Sequence, residues 1–146
     1  MSIEATPLVG TWQLVSRVDR SADAAVLSES AGSAVTGFLV YDAGGRVFAQ
    51  IMLRDRAPST RAMTIPEAGD AASYVDGYYA YFGRYEVDTA AGKIVHHLDG
   101  ALALADVGRT IARHFSLEGD TLTLSFKRGV HTGAPITRTL IWRRCA

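Results

Sequence analysis

Near its start the chain carries LVGTWQLV (residues 8–15), and it nearly ends with IWRR (residues 141–144). Gly10, separated from Trp12 by one residue, lets the backbone pass close under a buried indole, and an arginine from the last strand is able to lie across that ring. This arrangement suits a barrel whose first and last strands meet. Because a barrel of this size encloses a pocket, we expect the function to lie inside it.

The composition is that of one globular domain, which we place at residues 1–146. Hydrophobic residues make up 48% of the 146 residues, enough for a sizeable core. Fifteen Lys and Arg residues balance fifteen Asp and Glu residues, so no net field steers the protein toward nucleic acid or an anionic membrane. We therefore expect neither of these as a partner.

Cys145 is the single cysteine, which excludes an intramolecular disulfide and a multi-cysteine metal site. The first seven residues have neither the basic nor the apolar region of a secretory signal, and no stretch of the sequence is apolar for long enough to cross a bilayer. These features predict a cytoplasmic protein.

Short alternating runs separated by turn residues predict an antiparallel sheet of sequential hairpins. The clearest hairpin has Asp42-Ala43-Gly44-Gly45 between its strands, where glycines supply the positive φ of a tight turn. A loop is expected at residues 21–34. The eight predicted strands cover residues 8–18, 37–41, 46–53, 81–87, 93–98, 109–117, 121–127 and 136–143.

One helix is predicted to interrupt the strands, from Thr64 to about Tyr79. Thr64 and Glu67 have the spacing of a capping box, Pro66 falls in the first turn, and apolar residues recur at helical spacing up to Tyr79. Its apolar stripe must be buried against the barrel, either as a lid over the mouth or as a structural helix on the wall. The predicted fold is an all-β, eight-stranded antiparallel up-and-down barrel with one inserted helix.

An ordered set of segments resembles the small bacterial and fungal lipocalin-like domain proteins. The set consists of Gly10-Thr11-Trp12, residues 37–52, residues 76–88, His96-His97, Arg113-His114-Phe115 and Leu122-Thr123-Leu124. The resemblance implies a calycin-type barrel around a cavity for a small, mainly apolar ligand, in proteins that often accompany natural-product pathways. The absence of disulfide cysteines and the predicted mid-chain helix differ from the classical secreted lipocalins and argue against extracellular transport.

Strand alternation divides the polar residues between two faces of the sheet. His96 and His97 must point in opposite directions, so one of them faces the barrel lumen. We place His97 in the site, and His96 takes that place if His97 points outward. Tyr81 and Tyr85 share the less charged face of their strand. Arg113 alternates with apolar neighbours, and if that apolar set faces inward Arg113 goes with it. A buried arginine needs a partner, for which a ligand carboxylate, enolate or phenolate would serve, as would a tyrosine or Asp99.

These residues predict a small-molecule site in an otherwise apolar barrel. Its ligand-binding members are Tyr41, Gln50, Tyr81, Tyr85, His97 and Arg113. The predicted function is binding of a small hydrophobic or aromatic molecule with a polar head. The alternative is a cofactor-independent isomerase, cyclase or lyase acting on a polyketide-like or terpenoid-like substrate, with His97, Arg113 and Tyr81 as catalytic residues.

Other chemistries find little support in the sequence. The four histidines do not show the spacing of a zinc site, and P-loop, dinucleotide-binding and nucleophile-elbow patterns are absent. We expect no metal and no cofactor, with haem on a single axial histidine as the remaining alternative. The oligomeric state stays open, and a homodimer is one of the options.

Overall fold

A computed structural model describes residues 7–54, 77–131 and 134–146 of the chain, and nine antiparallel strands form one sheet within them. The strands are β1 (Gly10–Arg20), β2 (Val26–Ala31), β3 (Val35–Tyr41), β4 (Arg46–Leu53), β5 (Tyr78–Asp88), β6 (Lys93–Ala101), β7 (Thr110–Glu118), β8 (Thr121–His131) and β9 (Ala134–Arg144). No helix among the described residues has the length and apolar character needed to cross a membrane.

Eight of the strands close into a barrel. Each strand from β3 to β9 pairs with the next, and β1 completes the ring by pairing with β3 through residues 10–13 and with β9 through residues 12–20. These eight are the strands that the turn pattern predicted, so the predicted antiparallel barrel is confirmed. The ninth strand, β2, lies outside the ring and pairs with residues 16–20 of β1.

Two sequence predictions about the connections need correction. Residues 21–34 are not one loop, because they contain β2. The Ser and Ala residues of β2 have low strand propensity, so the strand depends on its pairing with β1. The inserted helix is not borne out. Tyr78 and Tyr79, at its predicted end, are strand residues that pair with Met52 and Ile51 of β4, and residues 64–76 of that prediction lie outside the described residues.

The chain ends are joined at one end of the barrel by Trp12 and Arg144. Trp12 is fully buried, and its indole Nε1 donates a hydrogen bond of 2.9 Å to the carbonyl oxygen of Leu8. The Arg144 guanidinium lies 4.3 Å from the centre of the Trp12 ring and donates to the carbonyl oxygens of Pro7 and, at 2.8 Å, Val9. The arginine across the tryptophan ring is therefore Arg144.

Gly10 is required at this junction for two reasons. Its φ of +143° belongs to a region that side chains disfavour, and a Cβ there would lie 2.7 Å from Nη1 of Arg144. The close neighbour of Gly10 is thus the Arg144 guanidinium, which itself lies over the Trp12 ring.

A bulge in β1 decides which of its side chains enter the barrel. Leu14 pairs with Trp142, but the register then shifts, so that Arg17 pairs with Leu140 and Asp19 with Arg138. Side chains of directly paired residues share a face of the sheet. The extra residue thus changes the inward positions from even numbers to odd numbers and brings Arg17 to the interior.

The core fills the Trp12 end of the barrel. Its fully buried members have large apolar or aromatic side chains and come from most strands of the ring. They include Leu8, Trp12, Leu39, Tyr41, Val47, Ile94, Leu122 and Trp142. Packing at this end leaves the open space of the barrel toward the opposite end.

Replacing Trp12 by alanine is expected to lower the free energy of unfolding by ~3–5 kcal/mol, because it removes a buried aromatic ring and the surface on which Arg144 rests. The matched control is Phe48→Ala on the outer wall, where the side chain is 43% exposed; its cost should stay below ~1 kcal/mol. Urea denaturation of both variants checks this. A Trp12→Ala protein within ~1 kcal/mol of wild type would contradict the closing role.

Candidate functional site

The barrel interior holds a cavity of about 520 Å³ between the core and the open end. Apolar side chains from five strands form much of its wall. They are Leu39, Ala49, Ile51, Ile111, Leu124, Phe126, Leu140 and Trp142. Polar and charged side chains reach the same space. They are Arg17, Tyr79, Tyr81, Asp106, Arg109, Arg113, Lys127 and Arg138. This volume is in the range of pockets that bind small molecules, about 300–1,000 Å³.

A hydrogen-bonded chain of three rings lies at the inner side of this cavity. His96, on β6, is almost fully buried between two tyrosines. The Tyr41 hydroxyl lies 2.8 Å from His96 Nε2, and the Tyr81 hydroxyl lies 2.7 Å from His96 Nδ1. Both ring nitrogens are therefore engaged. Of the two tyrosines, Tyr41 is fully buried in the core and Tyr81 lines the cavity.

Burial keeps His96 neutral. Loss of solvent around the ring is the largest cause that lowers the pKa of His96 to about 3, and the electrostatic effects of Arg113 and His97 lower it further. Burial likewise raises the pKa of Tyr41 and Tyr81 well above the ordinary tyrosine value, although the charge of Arg113 opposes this at both hydroxyls. At neutral pH all three rings are uncharged, and they act as hydrogen-bonding groups.

Arg113 brings a positive charge into the cavity from β7. Its guanidinium carbon lies 3.5 Å from the centre of the Phe126 ring, a cation–π contact. Its hydrogen bond to the described residues is a long one, 3.4 Å, to the carbonyl oxygen of Ala112. Burial is the main cause that lowers its pKa. Within residues 7–54, 77–131 and 134–146, no carboxylate forms an ion pair with Arg113.

The other charges around the cavity are partly paired. Arg138 forms a bidentate contact with Asp19, with hydrogen bonds of 2.8 and 3.0 Å. Arg109 lies 2.9 Å from Asp106, which also accepts a hydrogen bond of 3.1 Å from the Tyr79 hydroxyl. Burial and the Asp106 charge raise the pKa of Tyr79 to about 12. The cations that line the cavity outnumber these carboxylates, although the whole chain has no net charge.

The structure brings some of the predicted site residues together and separates others. Tyr41, Tyr81 and Arg113 converge on the interior. Tyr85 is also buried and packs against Tyr41, with ring centres 4.7 Å apart, but its hydroxyl donates to the carbonyl oxygen of Asp42 at 2.9 Å. The Tyr85 hydroxyl proton is therefore already bonded to the turn between β3 and β4.

Gln50 lies on the outer wall, so its predicted inward position is wrong. On β4, Val47 and Ala49 precede it and Ile51 follows it, and these inward residues show that the inward face of this strand carries the odd numbers. Gln50 instead borders an outer groove of about 440 Å³ beside the exposed rings of Phe38, Phe48 and Phe82. Three phenylalanines on the outer wall are what made the two faces hard to distinguish in the sequence.

His97 also faces outward, and its predicted place in the lumen is wrong. Its ring nitrogens contact Thr110 Oγ1 at 3.0 Å and Glu86 Oε2 at 3.1 Å on the outer surface. His96 takes the inward position. The sequence contained the signal, because His96 alternates with Ile94 and Leu98, both fully buried, whereas His97 alternates with Val95 and Asp99.

Comparison with protein families agrees with this architecture. The model of a lipocalin-like domain matches residues 9–145, nearly the whole chain. The protein belongs to the lipocalin-like domain family. No curated protein matches its sequence significantly. The cavity of this lipocalin-like protein lies inside a closed antiparallel barrel. Among its described residues, no group of three His, Cys, Asp or Glu side chains is arranged to hold a metal ion.

The buried neutral ring of His96 predicts a specific pH dependence of stability. The unfolded chain binds a proton at His96 near the ordinary pKa of 6.5, whereas the folded chain resists it down to about 3. The stabilising contribution is therefore complete above pH ~6.5 and is lost as the pH falls toward 3, by up to ~1.4 kcal/mol per pH unit. Urea denaturation between pH 7 and 4 measures this slope.

His96→Gln should reduce that slope by about one proton, because glutamine does not titrate. The control variant Gln50→Asn, on the outer wall, removes no titratable group and should keep the wild-type slope. Equal slopes in wild type and His96→Gln would contradict the buried neutral state of His96.

Proposed function

We propose that this protein binds a small, mainly apolar molecule with an anionic oxygen on its polar head, inside the barrel. The observation that carries the proposal is Arg113, a half-buried cation that faces the cavity and has no carboxylate partner among the described residues. Burial of an unpaired charge is unfavourable unless a partner satisfies it. A ligand carboxylate, enolate or phenolate supplies that partner.

The cavity supports the apolar part of this ligand. Its wall is formed largely by aliphatic and aromatic side chains, and removal of such surface from water is the main source of affinity. The 3.5 Å contact between Arg113 and Phe126 places the cation beside an aromatic wall. A molecule whose hydrocarbon or aromatic body contacts the wall and whose oxygen meets Arg113 fits both parts of the site.

Catalysis by proton abstraction is the alternative, and the site supports it less well. His97, the base expected from the sequence, lies on the outer surface. His96 is inside, but a pKa of about 3 makes it a weak base near neutral pH, and the hydroxyls of Tyr41 and Tyr81 have raised pKa values. An isomerase, cyclase or lyase in this barrel would depend on Tyr81 as a hydrogen-bond donor and on Arg113 as an electrostatic stabiliser.

Dodecanoate and dodecan-1-ol form a matched pair of ligands that separates charge from apolar contact. We expect wild-type protein to bind dodecanoate with micromolar affinity in isothermal titration calorimetry and to bind the alcohol more weakly. Arg113→Gln should weaken dodecanoate binding by ~10- to 100-fold, the effect of losing a charged hydrogen bond of ~1.5–3 kcal/mol, and should leave the alcohol nearly unchanged.

The control variant is Arg143→Gln, because Arg143 is an exposed residue of β9. It should bind both ligands like wild type. If dodecanoate does not bind, or if Arg113→Gln and Arg143→Gln reduce its binding equally, the anionic site at Arg113 is refuted.

A further inference from the structure

The chain Tyr41–His96–Tyr81 has three polar protons, two on the hydroxyls and one on the neutral imidazole, but only two hydrogen bonds join its rings. One proton is therefore left over for another partner. A neutral imidazole carries one N–H donor and one unprotonated nitrogen that accepts, whereas each tyrosine hydroxyl has one proton to donate and lone pairs that accept. Two arrangements are consistent with the two short contacts. Either Nε2 accepts from Tyr41 and Nδ1–H donates to Tyr81, or Nε2–H donates to Tyr41 and Nδ1 accepts from Tyr81.

Tyr41 decides between the two arrangements. Its side chain is fully buried, and within the described residues its hydroxyl has no hydrogen-bond partner other than His96. If Nε2–H donated to it, the hydroxyl proton of Tyr41 would be buried without an acceptor, which is unfavourable. If Tyr41 donates to Nε2, every proton of Tyr41 and His96 is paired.

The favoured arrangement leaves the hydroxyl proton of Tyr81 free to bind a group in the cavity. In the favoured arrangement Nδ1–H of His96 donates to the Tyr81 oxygen, so the Tyr81 proton is not used inside the chain. Tyr81 lines the cavity together with Arg113, whose guanidinium has only donors. Both groups therefore offer hydrogen-bond donors to the same space.

We infer that Tyr41 and His96 act as positioning residues that turn the Tyr81 hydroxyl proton into the cavity, so that the site selects ligands with a carbonyl or deprotonated oxygen near Arg113. The inference rests on the proposed function and adds a second recognition element to it. It also extends the ligand class to neutral ketones, which Arg113 alone would favour less than an anion. A ligand that presents only an N–H donor at this point leaves the Tyr81 hydroxyl proton without an acceptor.

The tautomer of His96 tests the first step without any ligand or substitution. In wild-type protein labelled with ¹⁵N-histidine, NMR at neutral pH should show Nδ1 of His96 protonated and Nε2 unprotonated. The exposed ring of His97 serves for comparison in the same spectrum. Protonated Nε2 with unprotonated Nδ1, or a doubly protonated ring, overturns the inference.

Ligand binding tests the second step with two probes of similar shape, 2-acetylnaphthalene, which has an acceptor oxygen, and 2-ethylnaphthalene, which has none. Wild type should prefer the ketone, and Tyr81→Phe should reduce ketone affinity about 3- to 10-fold, the effect of losing one neutral hydrogen bond. Affinity for 2-ethylnaphthalene should not change. Tyr85→Phe is the matched control, because the Tyr85 hydroxyl is used by Asp42.

The outcomes separate this inference from the proposed function. If Arg113→Gln weakens dodecanoate binding but Tyr81→Phe leaves the ketone preference intact, the anionic site stands and the role of Tyr81 is overturned. If neither naphthalene nor dodecanoate binds, both proposals fail. If Tyr81→Phe does not fold, the wild-type tautomer alone decides.

Discussion

The pairing of β1 with β9 creates the interior of this protein. It joins strands from opposite ends of the chain, and the Arg144 guanidinium over the Trp12 ring, at 4.3 Å, holds the junction. Once the ring is closed, each of its eight strands has one face inside, and alternation decides the position of each side chain. A shift of one residue exchanges the faces, as it does at the bulge that turns Arg17 inward.

The interior is divided by polarity along the barrel. Apolar side chains fill the Trp12 end, three neutral hydrogen-bonded rings lie beside the cavity, and cations surround its open part. The rings are compatible with burial because they satisfy one another. Arg113 differs, since its charge has no carboxylate partner among the described residues. This charge is therefore the one that we propose a ligand oxygen pairs with.

Local patterns in the sequence predicted the barrel but only part of its site. Turn residues such as Gly44 and Gly45 marked the hairpins, and the apolar neighbours of Arg113 indicated its inward direction. The short strand β2 and the bulge in β1 depend on pairing between distant segments, so no local pattern specifies them. The inward direction of His96 could have been predicted, because it shares a strand face with the apolar residues Ile94 and Leu98. The bond from Tyr41 to His96 joins residues 55 positions apart, and only the closed sheet brings them together.

A crystal structure of the protein with dodecanoate is the most direct measurement of where and how it binds. We expect the alkyl chain inside the barrel and the carboxylate within hydrogen-bond distance of Arg113, with the Tyr81 hydroxyl donating to the same group. A carboxylate in solvent, or a ligand in the outer groove beside Phe38, Phe48 and Phe82 with the barrel interior unchanged, would contradict an interior site built around Arg113.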